Sequence, residues 1–212
     1  MQNIHQNQPV LTAGAPLENA TAAMILVHGR GASAESILEL TAEFDQPDFA
    51  YLAPQAAGGT WYPNPFMTPI EGNEPYLSSA LAKLADVLAQ VETAGIPPEK
   101  TILLGFSQGA CLASEFAARN ARRYGGVVAL SGGLIGPPGT DFSRYAGSLD
   151  GTPVFLGCSD VDPHIPLERV QETTAVLRNL GGDVTEHIYP NMGHTINMDE
   201  IEFVRGMMAD LV

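Results

Sequence analysis

Short runs of apolar and β-branched residues alternate along the chain with longer stretches in which apolar residues recur every three or four positions. The short runs end in turn residues and predict six β-strands, which are Ala23–Val27, Phe49–Ala53, Thr101–Phe106, Gly126–Leu130, Pro153–Leu156 and Val184–Tyr189. The longer stretches predict five helices, which are Ser33–Phe44, Leu77–Val91, Gln108–Arg123, Leu167–Leu180 and Met198–Leu211. Strands and helices therefore alternate from residue 23 to the C-terminus.

This alternation predicts an α/β fold with a mostly parallel central sheet and helices on both faces. Parallel strands need a crossover connection, which a helix between successive strands provides. The strand runs are almost continuously apolar, as is typical of strands covered on both faces. Pro9–Ala13 is a candidate edge strand within the N-terminal segment 1–21, and we expect residues 1–212 to form a single domain. Ligands of such sheets bind beyond the carboxyl ends of the strands.

The charge and the cysteine content of the chain argue against several classes of protein. The 24 acidic against 10 basic residues give a net charge of −14, which argues against nucleic acid or a membrane surface as partner. The N-terminus carries no basic, apolar leader, and no apolar run is long enough to span a bilayer. Two cysteines, Cys111 and Cys158, form no disulfide framework. We expect a cytoplasmic protein; a secreted one whose signal has been removed is the alternative.

The segment Gly105–Gly109 reads Gly-Phe-Ser-Gln-Gly and stands between a predicted strand and a predicted helix. In this context the pattern Gly-x-Ser-x-Gly is typical of a tight turn that presents a nucleophilic serine at the end of a sheet. The two glycines leave room for the helix to approach the strand closely. We therefore predict Ser107 as a catalytic nucleophile. The alternative is an ordinary turn in which Ser107 only caps the helix.

A serine nucleophile of this type is followed in the chain by an acid and then by a histidine base. The loop after the fifth predicted strand offers two acids, Asp160 and Asp162. We favour Asp162 because Pro163 places it in a rigid turn, whereas Asp160 is suited to binding backbone amides. The loop after the last predicted strand contains His194, which we predict as the base.

The other histidines outside the glycine-rich loops are given less specific roles. His5 lies in a polar N-terminal segment, and we expect it to be solvated. His187 lies on the last predicted strand and is expected to face a helix or the edge of the sheet. His164 adjoins the acid loop and is a candidate for the wall of the site, with an exposed turn as the alternative. Because no short-spaced pair of ligand residues is present, we expect no metal and no cofactor.

The first predicted strand ends in the glycine-rich segment His28-Gly29-Arg30-Gly31. Attack on an ester builds negative charge on the carbonyl oxygen, which needs two fixed N–H donors near the serine. We assign these donors to the backbone of Arg30 and of Gln108, the residue after the nucleophile. A phosphate-binding loop is the alternative, although the glycine pattern and lysine of a nucleotide site are missing. The Arg30 side chain is also a candidate for attracting an acidic group of the substrate.

A loop between Pro54 and Tyr76 is rich in aromatic residues and contains the single tryptophan of the chain. Aromatic side chains near a strand end suit a small apolar pocket, although they also serve simply to pack a loop on the sheet. The predicted substrate-binding residues are His28, Gly29, Trp61, Tyr62, Phe66 and His164.

Together these motifs resemble the phospholipase/carboxylesterase family of α/β-hydrolases, which includes acyl-protein thioesterase-like enzymes. The most specific parts are Gly-Phe-Ser-Gln-Gly at 105–109 and Asp-Pro-His-Ile-Pro at 162–166, and the likeness runs from about residue 22 to the C-terminus. The resemblance implies an α/β-hydrolase fold, the triad Ser107, Asp162 and His194, and homodimers. No insertion between the predicted strands is large enough for a lid domain, and the loop at 58–76 looks closer to small bacterial members.

We therefore expect a serine carboxylesterase that hydrolyses small carboxylic esters through an acyl-enzyme intermediate. Thioester hydrolysis and acyl transfer use the same residues and remain alternatives. The alternative to an enzyme is a binding protein, namely a small-molecule receptor that keeps the fold and has little or no catalytic activity.

Overall fold

The computed structural model describes residues 3–212, in which seven strands form one sheet. The strands are β1 Val10–Gly14, β2 Ala22–Val27, β3 Phe49–Pro54, β4 Thr101–Phe106, β5 Gly126–Leu130, β6 Pro153–Ser159 and β7 Asp183–Tyr189. Their order across the sheet is β1-β3-β2-β4-β5-β6-β7. All neighbouring pairs are parallel except β1 and β3, in which Val10 lies opposite Pro54. The mostly parallel sheet and its N-terminal edge strand are thus confirmed.

Helices cover both faces of this sheet, as predicted. They are α1 Ala34–Leu38, α2 Thr41–Phe44, α3 Tyr76–Thr93, α4 Gln108–Arg119, α5 Leu167–Asn179 and α6 Met198–Ala209. Buried side chains of α3, α4 and α5 form the apolar core on one face, and those of α1, α2 and α6 form the core on the other. Because both faces are covered, all six residues of β2 are buried.

Two of the predicted helices differ from the structure by more than two residues. The segment predicted as one helix from Ser33 to Phe44 forms α1 and α2, because at their junction the N–H groups of Leu40 and Ala42 donate to carbonyl oxygens three rather than four residues earlier. The helix predicted to reach Arg123 stops at Arg119, where the side chain of Asn120 donates to the carbonyl oxygen of Phe116 in the last turn. Both differences are local changes in hydrogen bonding.

The parallel strands end at the same edge of the sheet, and the loops that leave this edge carry the predicted chemistry. They follow β2, β4, β6 and β7, which end at Val27, Phe106, Ser159 and Tyr189. Parallel pairing therefore brings together residues that are more than 160 positions apart in the chain. Within residues 3–212, no helix combines the length and the apolar character that crossing a membrane requires.

Candidate active site

A tight turn between β4 and α4 presents the predicted nucleophile. Ser107 has φ 56° and ψ −120°, a conformation that is unfavourable for any residue with a Cβ atom. A Cβ atom on Gly105 would lie 2.2 Å from the carbonyl oxygen of Gly109, and one on Gly109 would lie 2.0 Å from that of Val27. Both glycines are therefore needed for the close contact between helix and strand, as the motif predicts.

Ser107, His194 and Asp162 form one chain of hydrogen bonds. The Oγ atom of Ser107 lies 2.8 Å from Nε2 of His194, and Nδ1 of His194 lies 2.7 Å from Oδ2 of Asp162. These contacts fit a neutral imidazole that donates a hydrogen bond from Nδ1 to Asp162 and accepts one at Nε2 from the hydroxyl of Ser107. Ser107 makes no side-chain capping bond to α4, so the simple helix-cap alternative does not describe it.

The Asp162 carboxylate is fully buried and is bonded on both oxygens. Besides His194, it accepts the backbone N–H groups of His164 (2.8 Å) and Ile165 (3.1 Å) at Oδ1. Burial acts to raise the pKa of Asp162, but the hydrogen bonds from His194 and from the two backbone amides outweigh it, so that the pKa lies below its usual value. The carboxylate is thus ionised beside the imidazole.

Asp160, the other acid considered from the sequence, has a different environment. Its Oδ1 atom accepts the backbone N–H of Asn191 at 2.7 Å. This bond ties the loop after β6 to the loop after β7, three residues before His194. Asp160 therefore matches the amide-binding role suggested for it.

The backbone N–H groups assigned to the oxyanion hole are free to bind a ligand. Among residues 3–212, the hydrogen bonds leave the N–H groups of Arg30 and Gln108 without an acceptor. The loop of Arg30 passes close to the nucleophile, since a Cβ atom on Gly29 would lie 3.4 Å from Cβ of Ser107. Gln108 directly follows Ser107 at the start of α4.

A cavity of about 640 Å³ opens onto these groups. Four of the predicted substrate-binding residues line it, namely Gly29, Tyr62, Phe66 and His164, together with all the assigned catalytic and oxyanion residues except Asp162. Further wall residues, for which the sequence predicts no role in substrate binding, are Ala32, Pro63, Pro65, Phe106, Cys111 and Ile165. Cys111 stands four residues after Ser107 on α4, so helical spacing from the predicted nucleophile is a signal that would have found it. Phe106 is the direct neighbour of Ser107 at the end of β4.

His28 and Trp61 were predicted to bind substrate, but both are fully buried and neither lines the cavity. The His28 ring donates from Nδ1 to the carbonyl oxygen of Gly29 (2.8 Å) and accepts the N–H of Ala56 at Nε2 (3.1 Å). The indole N–H of Trp61 donates to the carbonyl oxygen of His28 at 2.9 Å. The prediction is therefore wrong for these two side chains, because they support the wall from behind.

The Arg30 side chain holds the loop at residues 56–66, which we call the aromatic loop. Its guanidinium donates to the hydroxyl of Thr60 and to the carbonyl oxygens of Tyr62, Pro63 and Asn64, at 2.9–3.0 Å. These bonds account for the Arg30 side chain without the acidic substrate group that the sequence suggests it attracts. The aromatic loop therefore both packs on the sheet and forms part of the cavity.

Of the remaining histidines, His5 differs most from expectation. It is fully buried rather than solvated, and both of its ring nitrogens bond to the aromatic loop. His187 faces α6, where its Nδ1 atom lies 3.2 Å from the carboxylate of Asp199, as the prediction of a helix neighbour requires. The ring of His164 is exposed and lies 4.8 Å from that of His194, so it belongs to an exposed turn and to the cavity wall at once.

Comparison with known proteins gives matches along nearly the whole chain. A family model described as phospholipase/carboxylesterase matches residues 12–211. The crystal structure of a phospholipase/carboxylesterase from Dyadobacter fermentans is 41% identical, with a TM-score of 0.92 over 96% of this chain and 97% of that one. The structure of esterase PE8 is 27% identical, with a TM-score of 0.78 over 97% of this chain and 98% of the other.

Curated relatives match over a shorter region. Acyl-protein thioesterase 1 of Gibberella zeae is 30% identical over 124 residues, which are 58% of this chain and 53% of the relative. The chain thus spans about half the length of the curated relatives it matches. The sheet, the helices on both faces and the matches above define an α/β-hydrolase fold. The chain belongs to the phospholipase/carboxylesterase family.

Proposed function

We propose that this protein is a serine carboxylesterase that hydrolyses small carboxylic esters or thioesters through an acyl-enzyme intermediate. The observation that carries the proposal is the hydrogen-bonded chain from Ser107 through His194 to Asp162, with contacts of 2.8 and 2.7 Å, at the wall of a cavity. The family membership of the chain supports the same reaction class.

In the first half of the proposed reaction, Ser107 attacks the carbonyl carbon of the substrate. His194 takes the hydroxyl proton at Nε2, and the buried carboxylate of Asp162 stabilises the imidazolium that forms. The tetrahedral intermediate collapses when its carbon–oxygen or carbon–sulfur bond breaks. His194 gives the proton to the departing alcohol or thiol, and the acyl group stays on Ser107.

In the second half, water replaces the alcohol. His194 removes a proton from the water as its oxygen attacks the acyl carbon, and the same proton then returns to Ser107 as the carboxylic acid leaves. The neutral imidazole with a free Nε2 lone pair, which the contacts of His194 favour, is the form that both halves require.

The oxyanion of both tetrahedral intermediates is bound by the backbone N–H groups of Arg30 and Gln108. Their freedom from other acceptors within residues 3–212 and their position at the cavity wall support this role. Loss of one such donor costs about 3–4 kcal/mol of transition-state stabilisation. Because the donors are backbone groups, only changes that move the backbone test them.

Small esters are the substrates that the cavity supports best. Its aromatic and proline-rich wall, which includes Tyr62 and Phe66, suits a short apolar acyl or alcohol group. The thioesterases among the relatives match this chain over only about half their length, so a protein substrate does not carry over from them. Thioesters would be cleaved by the same catalytic groups, so we include them among the proposed substrates.

The test is turnover of a panel of p-nitrophenyl esters and matched thioesters of graded chain length, with Ser107→Ala as control. Short esters should be hydrolysed by the unchanged protein, and Ser107→Ala should fall to near background. Full activity in Ser107→Ala would overturn the proposal. A fluorophosphonate should label Ser107 covalently, whereas a receptor with an inert site would label poorly.

For the molecule as a whole, we propose one domain over residues 1–212 that pairs as a homodimer in the cytoplasm. The family resemblance supports the pairing, and the free thiols of Cys111 and Cys158 suit a reducing compartment. Light scattering after size-exclusion chromatography should give twice the mass of one chain. Cell fractionation should recover the protein with cytoplasmic markers.

A further inference from the structure

We propose that His5 is a positioning residue for the oxyanion hole, acting through the aromatic loop. The inference rests on the proposed function, in which the backbone N–H groups of Arg30 and Gln108 bind the oxyanion. His5 lies outside the cavity and would touch no substrate atom. Its contacts nevertheless fix the segment to which both oxyanion residues are bonded.

Both nitrogens of the buried His5 ring are used to hold the aromatic loop. Nε2 donates to the carbonyl oxygen of Trp61, and Nδ1 accepts the N–H of Ala57, each at 3.0 Å. Only the neutral tautomer with its proton on Nε2 satisfies both bonds. Burial lowers the pKa of His5, which favours this neutral form. The ring thus joins the start and the middle of the aromatic loop.

The position of His5 is set by α3 rather than by the loop it holds. The backbone N–H groups of Ile4 and His5 donate to the hydroxyl of Ser79, at 3.0 and 3.1 Å. The ammonium group of Lys83 donates to the carbonyl oxygens of Gln6 (3.2 Å) and Gln8 (2.6 Å). The N-terminal segment is therefore anchored to a long helix that packs on the sheet.

The opposite side of the aromatic loop is bonded to the side chain of Gln108. Its Oε1 atom accepts the backbone N–H of Trp61 (2.9 Å) and the hydroxyl of Thr60 (3.2 Å), while its amide donates to the carbonyl oxygen of Tyr62 (2.9 Å). Trp61 is thus held through its carbonyl by His5 and through its N–H by Gln108. A shift of Trp61 would disturb the residue that supplies one oxyanion donor.

The second oxyanion residue is bonded to the same loop. Besides the guanidinium bonds of Arg30, the N–H of its neighbour Gly31 donates to the carbonyl oxygen of Gly59 at 2.7 Å. The Trp61 ring also lies close to two histidine rings, with centroids 5.4 Å from His5 and 5.0 Å from His28. Removal of the His5 ring would take away one of these neighbours together with the bond to the Trp61 carbonyl.

The test compares His5→Ala with His187→Ala, a matched histidine variant on β7 remote from the aromatic loop. Outright loss of one oxyanion donor lowers kcat by about 10²–10³. Because the donors would be displaced rather than lost, we expect kcat of His5→Ala for a short p-nitrophenyl ester to fall by about 10- to 100-fold. KM should change by a smaller factor than kcat, since the wall residues outside the aromatic loop, among them Phe106, Cys111 and Ile165, keep their places. His187→Ala should keep the unchanged kcat.

A conservative variant and an inhibitor separate positioning from general loss of structure. His5→Gln retains an amide donor for the Trp61 carbonyl and should recover most of the lost kcat, whereas His5→Asn, which is too short to reach it, should not. A short alkyl boronic acid forms a tetrahedral adduct with the serine, so its affinity should fall by the same factor as kcat in His5→Ala. If His5→Ala does not fold, Ser79→Ala, which removes the anchor of the N-terminal segment, should show the same loss in milder form.

Measurements that do not depend on catalysis also test the positioning role of His5. Trp61 is the single tryptophan of the chain, so a shift in its emission in His5→Ala, and none in His187→Ala, reports movement of the aromatic loop. A folded His5→Ala protein with kcat and boronic acid affinity within twofold of the unchanged protein would overturn the inference. If the unchanged protein hydrolyses no ester, the proposed function fails, and unchanged Trp61 emission together with unchanged amide hydrogen exchange at Gln108 would overturn the positioning role separately.

Discussion

Asp160 and Asp162 lie two residues apart after the same strand, yet their carboxylates have different partners. Asp162 is buried against His194 and two backbone amides, whereas within residues 3–212 the carboxylate of Asp160 binds only the amide of Asn191. The sequence favours Asp162 through the rigid turn at Pro163, but it leaves both open because either side chain is in reach of the same loop. The partner that distinguishes them, His194, is 32 positions away.

This difference predicts unequal effects of two matched substitutions. Asp162→Asn should lower kcat for a short ester by up to about 10⁴, because an amide in this place favours the wrong imidazole tautomer and carries no charge to stabilise the imidazolium. Asp160→Asn keeps an oxygen that accepts from Asn191 and should change kcat far less. Steady-state kinetics of both variants test this, and a more severe loss in Asp160→Asn would reverse the assignment of the acid.

His5 and His28 show where residue-level prediction fails. The neighbours of His5 in the sequence are polar, which indicates a solvated segment, but its partners lie more than 50 positions away in the aromatic loop. His28 stands in a loop beside the nucleophile, yet its ring turns inward to the N–H of Ala56. The motif positions Ser107, His194 and Gly29 could be predicted because local turn geometry sets them, whereas the buried histidines depend on tertiary pairing.

At the level of elements, the contact between β2 and α4 determines how closely the nucleophile turn packs. A Cβ atom on Gly109 would overlap the carbonyl of Val27, so the helix would have to move away from the strand. Gly109→Ala should therefore lower the free energy of unfolding by about 1–3 kcal/mol, as overpacked positions do. Urea unfolding measures this change.

Gly206 in α6 provides the control for that substitution. A Cβ atom there would meet no atom within 4 Å, and the residue is inside a helix. Gly206→Ala should raise the free energy of unfolding by up to about 1 kcal/mol, because alanine loses less conformational entropy in a helix. Equal stability of the Gly109→Ala protein and the unchanged protein would contradict the packing argument.

The start of α6 carries a buried acid whose ionisation opposes folding. Glu200 closes a capping box, in which its Oε2 atom accepts the N–H of Asn197, while its Oε1 atom has no partner among residues 3–212. Burial raises the pKa of Glu200 to about 7. Between its ordinary pKa of about 4.3 and this value, the unfolded chain releases the proton and the folded chain keeps it, so stability falls as the pH rises.

Glu200→Gln should remove this loss while keeping an oxygen for the capping bond. We compare the free energy of unfolding of Glu200→Gln with that of the unchanged protein. This difference should increase in favour of Glu200→Gln by up to about 3 kcal/mol between pH 4.5 and pH 8. Urea unfolding at several pH values measures it. A difference between Glu200→Gln and the unchanged protein that stays flat over this range would contradict the prediction.

The number of helices and strands and their order along the chain could be predicted better than the residues at which they begin and end. Strands β4 and β5 have the predicted bounds, because glycine, proline and polar residues flank a short apolar run. The split between α1 and α2 and the early end of α4 could not be predicted, because the first is a local change to i→i−3 backbone bonds and the second coincides with the side-chain bond of Asn120. Apolar periodicity does not report such local changes.

On the scale of the whole molecule, alternation of strands and helices predicts the parallel sheet but not the order of its strands. In the sheet, β3 lies between β1 and β2. This order depends on which way each connection between strands crosses the sheet, and no local sequence pattern indicates that direction. The predicted convergence of the loops after β2, β4, β6 and β7 needs only parallel pairing. The triad could therefore be assigned before the strand order was known.

The net charge of −14 predicts a salt effect on charged substrates. At low ionic strength the field of the molecule repels an anionic ester, and added salt screens it. For a p-nitrophenyl ester whose acyl chain ends in a carboxylate, kcat/KM should rise several-fold, on the order of fivefold, between 10 and 150 mM salt. The neutral methyl ester of the same compound should stay nearly constant. A fall for the anionic ester would show that the nearby Arg30 outweighs the overall charge.

The backbone at Ser107 has a consequence for the history of this chain. Its positive φ with ψ near −120° suits glycine, and a serine there costs on the order of 1–3 kcal/mol. Selection for stability alone would favour glycine over serine at this position. In a lineage that no longer needs hydrolysis, drift toward glycine at this position would be favourable. The residue at position 107 therefore offers a simple marker for separating working enzymes from inactive descendants of the same fold.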